Sequence, residues 1–447
     1  MNKLTDNLKT ISFFTYTIIF LLTLSFDRSF IGLQVKNIPL GIPLVGCLFL
    51  VSIVFLFLNK NILNILSIEG FTRTININKL LVLSFFVSCI YFNSDFTSTY
   101  IYKTSSYIWM ISSLYLSLII FNEIFKYQKS LEILSKLLLL LPLVHYLFST
   151  GRYPNFIMKF WLENSDKFQF TKASDIMISA VVVNLLFFKL SKNSKQPLLY
   201  LFFSLPLILP LLLEMSRGSF IAALIFFLLI LIKEFRYLIK NWKFSIVLLL
   251  VASITMIFSI YRVSGVNLSL DDSEVVIDNS ISGNISKIAK KNDTRKAFLS
   301  FYFENGRFYS HDNTTNWRLD IWQDVLDDLK VKNSLLKGYG YNEIMPIMTD
   351  PSAPGRLGRD GLNEHVHSYL FNIIGRGGLL QLFILIIFHL SYIKVWFDKF
   401  GNYYLLYFMV PCFFNSFLDI TMEGVHFPFI YYSFLGILYK IDEKIYL

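Results

Sequence analysis

Three widely separated side chains are of types that could do chemistry together. Arg217 stands in Glu214-Met215-Ser216-Arg217-Gly218-Ser219, between two long apolar runs. A charge at such a boundary costs about a few kcal/mol unless it snorkels or finds a partner, and Gly218 beside it lets a backbone or a ligand come close. Arg318 opens a second pattern: Arg318, Trp322, Val325, Leu326 and Leu329 share one helical face, and Asp320, Asp324, Asp327 and Asp328 share the other. The guanidinium therefore heads the apolar stripe, and the acids read as a solvated face. His365 and His367, two of six histidines, close the same polar segment just before an apolar run. Two apart, they would diverge on a helix and could share a site on an extended segment. Two guanidiniums suit a diphosphate, because each is a planar fork of donors that keeps its proton. One imidazole suits removal of a hydroxyl proton near neutral pH. Singly, each has a structural alternative: a snorkelling Arg217, a salt-bridged Arg318, a satisfied His367. Together they describe transfer of a group from a lipid diphosphate to an alcohol. No metal or cofactor is expected, since the histidine pair has no Cys or acid at ligand spacing and no D-x-D occurs in the chain.

The elements that must position these residues are membrane helices. Over 447 residues the chain is 54% apolar and 16% charged, with 46 Phe and a mean hydropathy of +0.54, too few charges for a solvated globular surface. Apolar runs near 11–26, 39–58, 80–92, 104–121, 133–148, 176–190, 197–213, 219–232, 244–260, 373–393, 402–418 and 427–439 are long enough to cross a bilayer, some with help from snorkelling flanks. The expected fold is an all-α polytopic membrane protein of about twelve spans. One large, partly helical loop lies between the ninth and tenth. The expected divisions are an N-terminal bundle at 1–260, the loop at 261–368 with an amphipathic helix near 316–330, and C-terminal helices at 369–447. The loop's first half is Asn-, Ser- and charge-rich without a sustained period, which reads as irregular. Cys47, Cys89 and Cys412 each lie inside an apolar run and read as small buried hydrophobes.

The net charge of +10 has an address. With the N-terminus inside, the short cytoplasmic segments carry eighteen basic and seven acidic side chains, and the large loop carries thirteen basic and fifteen acidic ones. This is a topology and anionic-lipid signal, carried partly by the basic stretch at 233–243. It removes nucleic acid as an expected partner and puts Arg217, Arg318 and His367 on the outer side.

Four motifs in order resemble the bacterial O-antigen ligase and polymerase superfamily of polytopic membrane glycosyltransferases. They are Ser216-Arg217-Gly218 before a span; the R-x-x-x-W helix from Arg318; the Leu335-Leu336-Lys337-Gly338-Tyr339-Gly340 turn; and His367 followed by an apolar helix with Gly378 eleven residues on. Ser368, Arg376 and Asn333-Ser334 depart from the usual pattern. The resemblance implies a metal-independent, inverting, single displacement on the periplasmic side of the inner membrane, with both chain termini cytoplasmic. The donor would be a glycan on undecaprenyl diphosphate, and the acceptor a hydroxyl of lipid A-core or of a growing glycan. Arg217 and Arg318 would hold the diphosphate and His367 would be the base. His365 is the reserve base, and His365, Arg376 and Tyr339 are further substrate-contact candidates. Ligation and repeat-unit polymerisation need the same site and stay open. A lipid-linked sugar flippase is a weaker reading, because the polar residues gather at one surface and not at the midplane.

Overall fold

The computed structural model describes residues 2–66, 68, 70–122, 128–151, 154–166, 172–191, 193–264, 300–353, 356–357, 364–419 and 421–445. Among them, eight helices are long and apolar enough to cross a membrane: Asn7–Ile31, Thr72–Tyr91, Glu132–Thr150, Ala173–Leu190, Lys195–Met215, Arg217–Lys240, Trp242–Val263 and Tyr369–Phe400. Gly41–Phe57, Ser106–Ile120 and Leu406–Leu418 are shorter apolar helices, and His426–Ile445 is a further helix of 20 residues with charges toward its end. A described helical segment underlies each of the twelve runs expected to span, while length and composition qualify eight. The expected third span begins earlier, at Thr72, because Thr74 and Asn78 turn into the body, where Thr74 Oγ1 and Ser391 Oγ lie 2.9 Å apart.

The helices differ in how much neighbour they have. Ala173–Leu190 and Lys195–Met215 are mostly enclosed by other helices, whereas Trp242–Val263 shows most of its apolar surface outward, as a helix bounded by lipid can. Cys89 and Cys412 are buried as expected. Cys47 is exposed, because its side of the Gly41–Phe57 helix faces away from the body.

Two clusters mark the ends of this body. At one, Lys189 Nζ lies 2.6 Å from the buried Asp442. At the other, His426 Nε2 lies 3.0 Å from Asp175 Oδ1, Arg262 Nε donates to Thr150 Oγ1 at 2.7 Å, and the ends of several helices meet the polar segment.

The all-α expectation needs one amendment. Two short antiparallel hairpins occur, Gln34–Val35 with Ile38–Pro39 and Phe301–Glu304 with Arg307–Ser310. The second closes through Asn305-Gly306, both at positive φ, the conformation that tight hairpin turns require. The amphipathic helix runs Asn313–Val331. It starts a turn earlier than expected because Asp312 Oδ1 accepts from the Thr315 N–H at 2.8 Å, an N-cap. Its acidic face is only partly solvated. Arg307 Nη2 binds Asp324 at 2.6 Å, and Arg356, itself buried, binds both Asp320 and Asp324, tying hairpin and loop to the helix. Residues 265–299, which the sequence led us to expect as irregular, lie outside the described residues.

Candidate functional site

The glycine turn fixes the stretch that carries the histidines. Gly378 adopts φ +69 and ψ −177 and breaks the Tyr369–Phe400 helix near its start. A break frees N–H groups that a helix would otherwise bind. Those of Leu379 and Leu380 donate to the carbonyls of Leu335 and Leu336 at 2.9 and 3.3 Å, and those of Tyr339 and Gly340 donate to the carbonyls of Gly375 and Arg376 at 2.7 and 3.0 Å. The two backbones run so close that a Cβ on Gly338 would lie 2.5 Å from the Arg376 carbonyl oxygen, and one on Gly378 2.2 Å from Leu336. The end of the Asn313–Val331 helix is thus fastened to the helix that begins two residues after His367.

Arg318 sits in the second turn of Asn313–Val331, above Ile321, Trp322, Val325 and Leu329, which are buried. Its Nη1 donates to the Leu418 carbonyl at 2.5 Å, while its Nε is buried without a hydrogen bond. Burial pulls the guanidinium pKa down, opposed by the charges of Asp419 and Asp312.

Arg217 is the first residue of the Arg217–Lys240 helix, whose N-cap is Ser216. Its Nη1 lies 2.9 Å from Asp312 Oδ2, and about half of the side chain is exposed. Gly218 allows this helix start to approach the end of Leu406–Leu418: a Cβ there would lie 3.2 Å from Leu418 Cβ. Asp312 therefore does two things, capping the Arg318 helix and meeting Arg217. The hydrogen bonds from Thr315 and Arg217 outweigh the cost of burying it and hold its carboxyl below the usual range.

His367 lies in a non-helical approach to the Tyr369–Phe400 helix, at φ +53, an unusual conformation for a side chain with a Cβ, and one that clusters at functional positions. Its ring packs against Trp317, with centroids 5.0 Å apart. Burial, then the nearby Arg318 cation, lowers its pKa to about 4, with His365 acting in the same direction and Asp419 and Glu423 against it. The imidazole is neutral at physiological pH and able to accept a proton. Arg318 and His367 are thus brought together, and Arg217 joins them through Asp312.

The remaining three candidates sit apart in role. His365 Nδ1 stands 3.1 Å from Glu423 Oε1; Glu423 is buried, yet the neighbouring His365, Arg376 and Lys103 hold its carboxyl low. Arg376 is 1% exposed. Its guanidinium meets the carbonyls of Glu343 and Gly340 and the hydroxyl of Tyr100, holding the glycine turn from beneath. Tyr339 donates to Asp328 Oδ2 at 2.7 Å and lies on the same turn.

Sequence reasoning missed Asp312, Trp317, Asp419 and Glu423 as members of this cluster. Asp312 carried a signal, an acid three residues before a threonine at a helix start. Asp419 and Glu423 lie in a connection between two apolar runs, where sequence gives no pointer to a loop a hundred residues earlier. Residues 199–386 match the O-antigen ligase family, a stretch that runs through Arg217, Arg318 and His367 and crosses all three of the expected chain divisions. No curated protein matches the chain.

Proposed function

We propose, on the match of residues 199–386 to the O-antigen ligase family, that the chain is a membrane glycosyltransferase that moves a glycan from undecaprenyl diphosphate to an acceptor hydroxyl at the end of the body where Arg318 and His367 meet. The observation that supports this reading most is their adjacency: a neutral imidazole beside a guanidinium whose Nε is buried without a hydrogen bond. Arg318 and Arg217 would bind the diphosphate and neutralise charge as the bond from C1 to the leaving oxygen breaks. The acceptor oxygen would attack C1 from the opposite face, giving inversion, while His367 takes its proton. No protein–sugar intermediate and no metal-bound step are needed. His365, beside Glu423, and Tyr339 would flank the acceptor side, with Arg376 fixing the turn beneath.

In this reading the chain crosses the inner membrane about twelve times, with cytoplasmic termini. Residues 1–260 form the first bundle, 261–368 the periplasmic loop and 369–447 the last helices. The basic end, with Lys189, Lys233 and Lys440, faces the cytoplasm. A reporter fused after residue 290 should read out on the periplasmic side; a cytoplasmic signal would reverse the site's placement.

The acceptor is lipid A-core in the first reading. Extension of a growing lipid-linked chain is the second, and the same site serves both. Product analysis in a deletion strain separates them. Long lipid-linked chains that never reach the acceptor mean ligase, and a single repeat unit on the acceptor means polymerase.

A further inference from the structure

A second polar group lies near this site and takes no part in the transfer just described. The first helix, Asn2–Ile31, is broken at Asp27, whose φ of 48 and ψ of −124 are not helical. Asp27 is 5% exposed, and its Oδ1 has no hydrogen bond; nor has the buried Nε of Arg28 beside it. Both line a cavity of about 370 Å³, with Lys172, Asp175 and His145 at the same polar end. Burial and the neighbouring Arg28 cation pull the Lys172 ammonium below its ordinary value, opposed by Asp175 and by Asp419 of the transfer site. Asp175 and His145 are committed elsewhere: Asp175 to His426, and His145 to Ser179 and the Ser25 carbonyl.

The rest of the wall is hydrocarbon. Leu134, Leu138, Leu141 and Phe148 line it, and Leu137 and Leu140, 60% and 56% exposed, form a lip on the outer surface of the body. Trp161 closes the cavity near the polar end, its ring centroid 5.1 Å from that of Phe26. Two cations and a carboxyl whose Oδ1 has no hydrogen bond at one end, and an apolar trough open to the surface at the other, match one kind of occupant. The volume, within the roughly 300–1,000 Å³ of small-molecule sites, admits a headgroup and the start of its chains, the remainder running out over the lip.

We propose that this cavity binds a phosphate-bearing membrane lipid, its phosphate between Arg28 and Lys172, a headgroup hydroxyl at Asp27, and its chain along the Leu134–Leu141 wall. The occupant is bulk anionic phospholipid; a polyprenyl phosphate preferred over it would instead make the cavity part of the donor's own site.

Trp161 supplies the probe. In nanodiscs holding the full chain, quenching by lipids brominated on their acyl chains is compared for phosphatidylglycerol and phosphatidylcholine. The Trp161 contribution is taken as the difference between the wild type and Trp161→Phe. Two cations facing an anionic lipid correspond to roughly a 10- to 30-fold preference for phosphatidylglycerol. Arg28→Gln with Lys172→Gln should abolish it, and Arg28→Lys, which keeps the charge and controls for folding, should retain most of it. Unbrominated phosphatidylglycerol relieving the quenching in preference to polyprenyl phosphate supports the site, and the reverse order would assign the cavity to the donor and overturn it. Equal quenching by the two brominated lipids, a preference that survives the double substitution, or relief by inorganic phosphate alone would overturn it.

Discussion

The ring of His367 packs 5.0 Å from that of Trp317, and the next residue after that tryptophan is Arg318. One turn of helix thus supplies both the wall that shields the imidazole from water and the cation that lowers its pKa. Trp317→Ala should admit water, weaken positioning and reduce transfer by about 10-fold, with Trp317→Phe near wild type, a loss on the scale of a misplaced group. Initial rates on purified protein, with membrane insertion checked alongside, measure this.

The pH profile follows from the same contact. His367 titrates near 4 in the folded chain against 6.5 for an ordinary histidine. Between those values the unfolded chain binds a proton that the folded chain does not, so the stability owed to this neutral ring is present above pH 6.5 and lost as pH falls toward 4. For the reaction, kcat/KM should hold on acidification until its acid limb near pH 4. A bound diphosphate would oppose the field of Arg318 and raise the pKa, so the acid limb of kcat should lie at higher pH than that of kcat/KM. Identical limbs would mean that the donor does not sit beside Arg318.

Asp312 separates two functions that one atom pair could confuse. Asp312→Asn keeps a helix cap and removes the negative charge facing Arg217, so the unfolding midpoint should hardly move while transfer falls by less than about 10-fold. Asp312→Ala removes both and should also cost about 1 kcal/mol of stability. Unfolding and activity measured on both variants distinguish the cap from the ion pair.

The glycine turn is a stability prediction. Gly378→Ala and Gly338→Ala each force a Cβ into backbone at φ near +70. Left-handed strain alone costs about 1–3 kcal/mol, and the backbone contact adds to it. Both variants should insert poorly or unfold early, independent of substrate.

Removal of divalent ions should leave transfer unchanged. A collapse in chelator that Mg²⁺ restores would require a metal-assisted reaction in place of the one proposed.

Much of this was legible in the chain, and the reasons are physical. Apolar length announces helices, so the twelve hydrophobic runs all lie on helical segments. The Arg318 stripe announced its buried face because helical periodicity is local. The hairpin at Asn305-Gly306 has a local signal too, a turn dipeptide between short apolar stretches. What sequence could not supply was pairing across distance. Asp320 and Asp324 looked like a solvated face until Arg307 and Arg356 arrived from other elements. Asp419 and Glu423 reach His367 only because the Leu406–Leu418 helix ends beneath the polar segment. Arg376 resembled a surface contact by its place at a helix entrance, and it is buried under carbonyls that the glycine turn brings to it.

The most direct test is the transfer rate of purified His367→Ala with a lipid-diphosphate-linked glycan and acceptor, beside His365→Ala and Arg318→Ala. A positioned base contributes roughly 10²- to 10⁴-fold, so His367→Ala should lose that much while donor binding persists. Arg318→Ala should lose about 10²- to 10³-fold, and His365→Ala much less than either. Full transfer by His367→Ala, inserted at wild-type level, would contradict the assignment of this site.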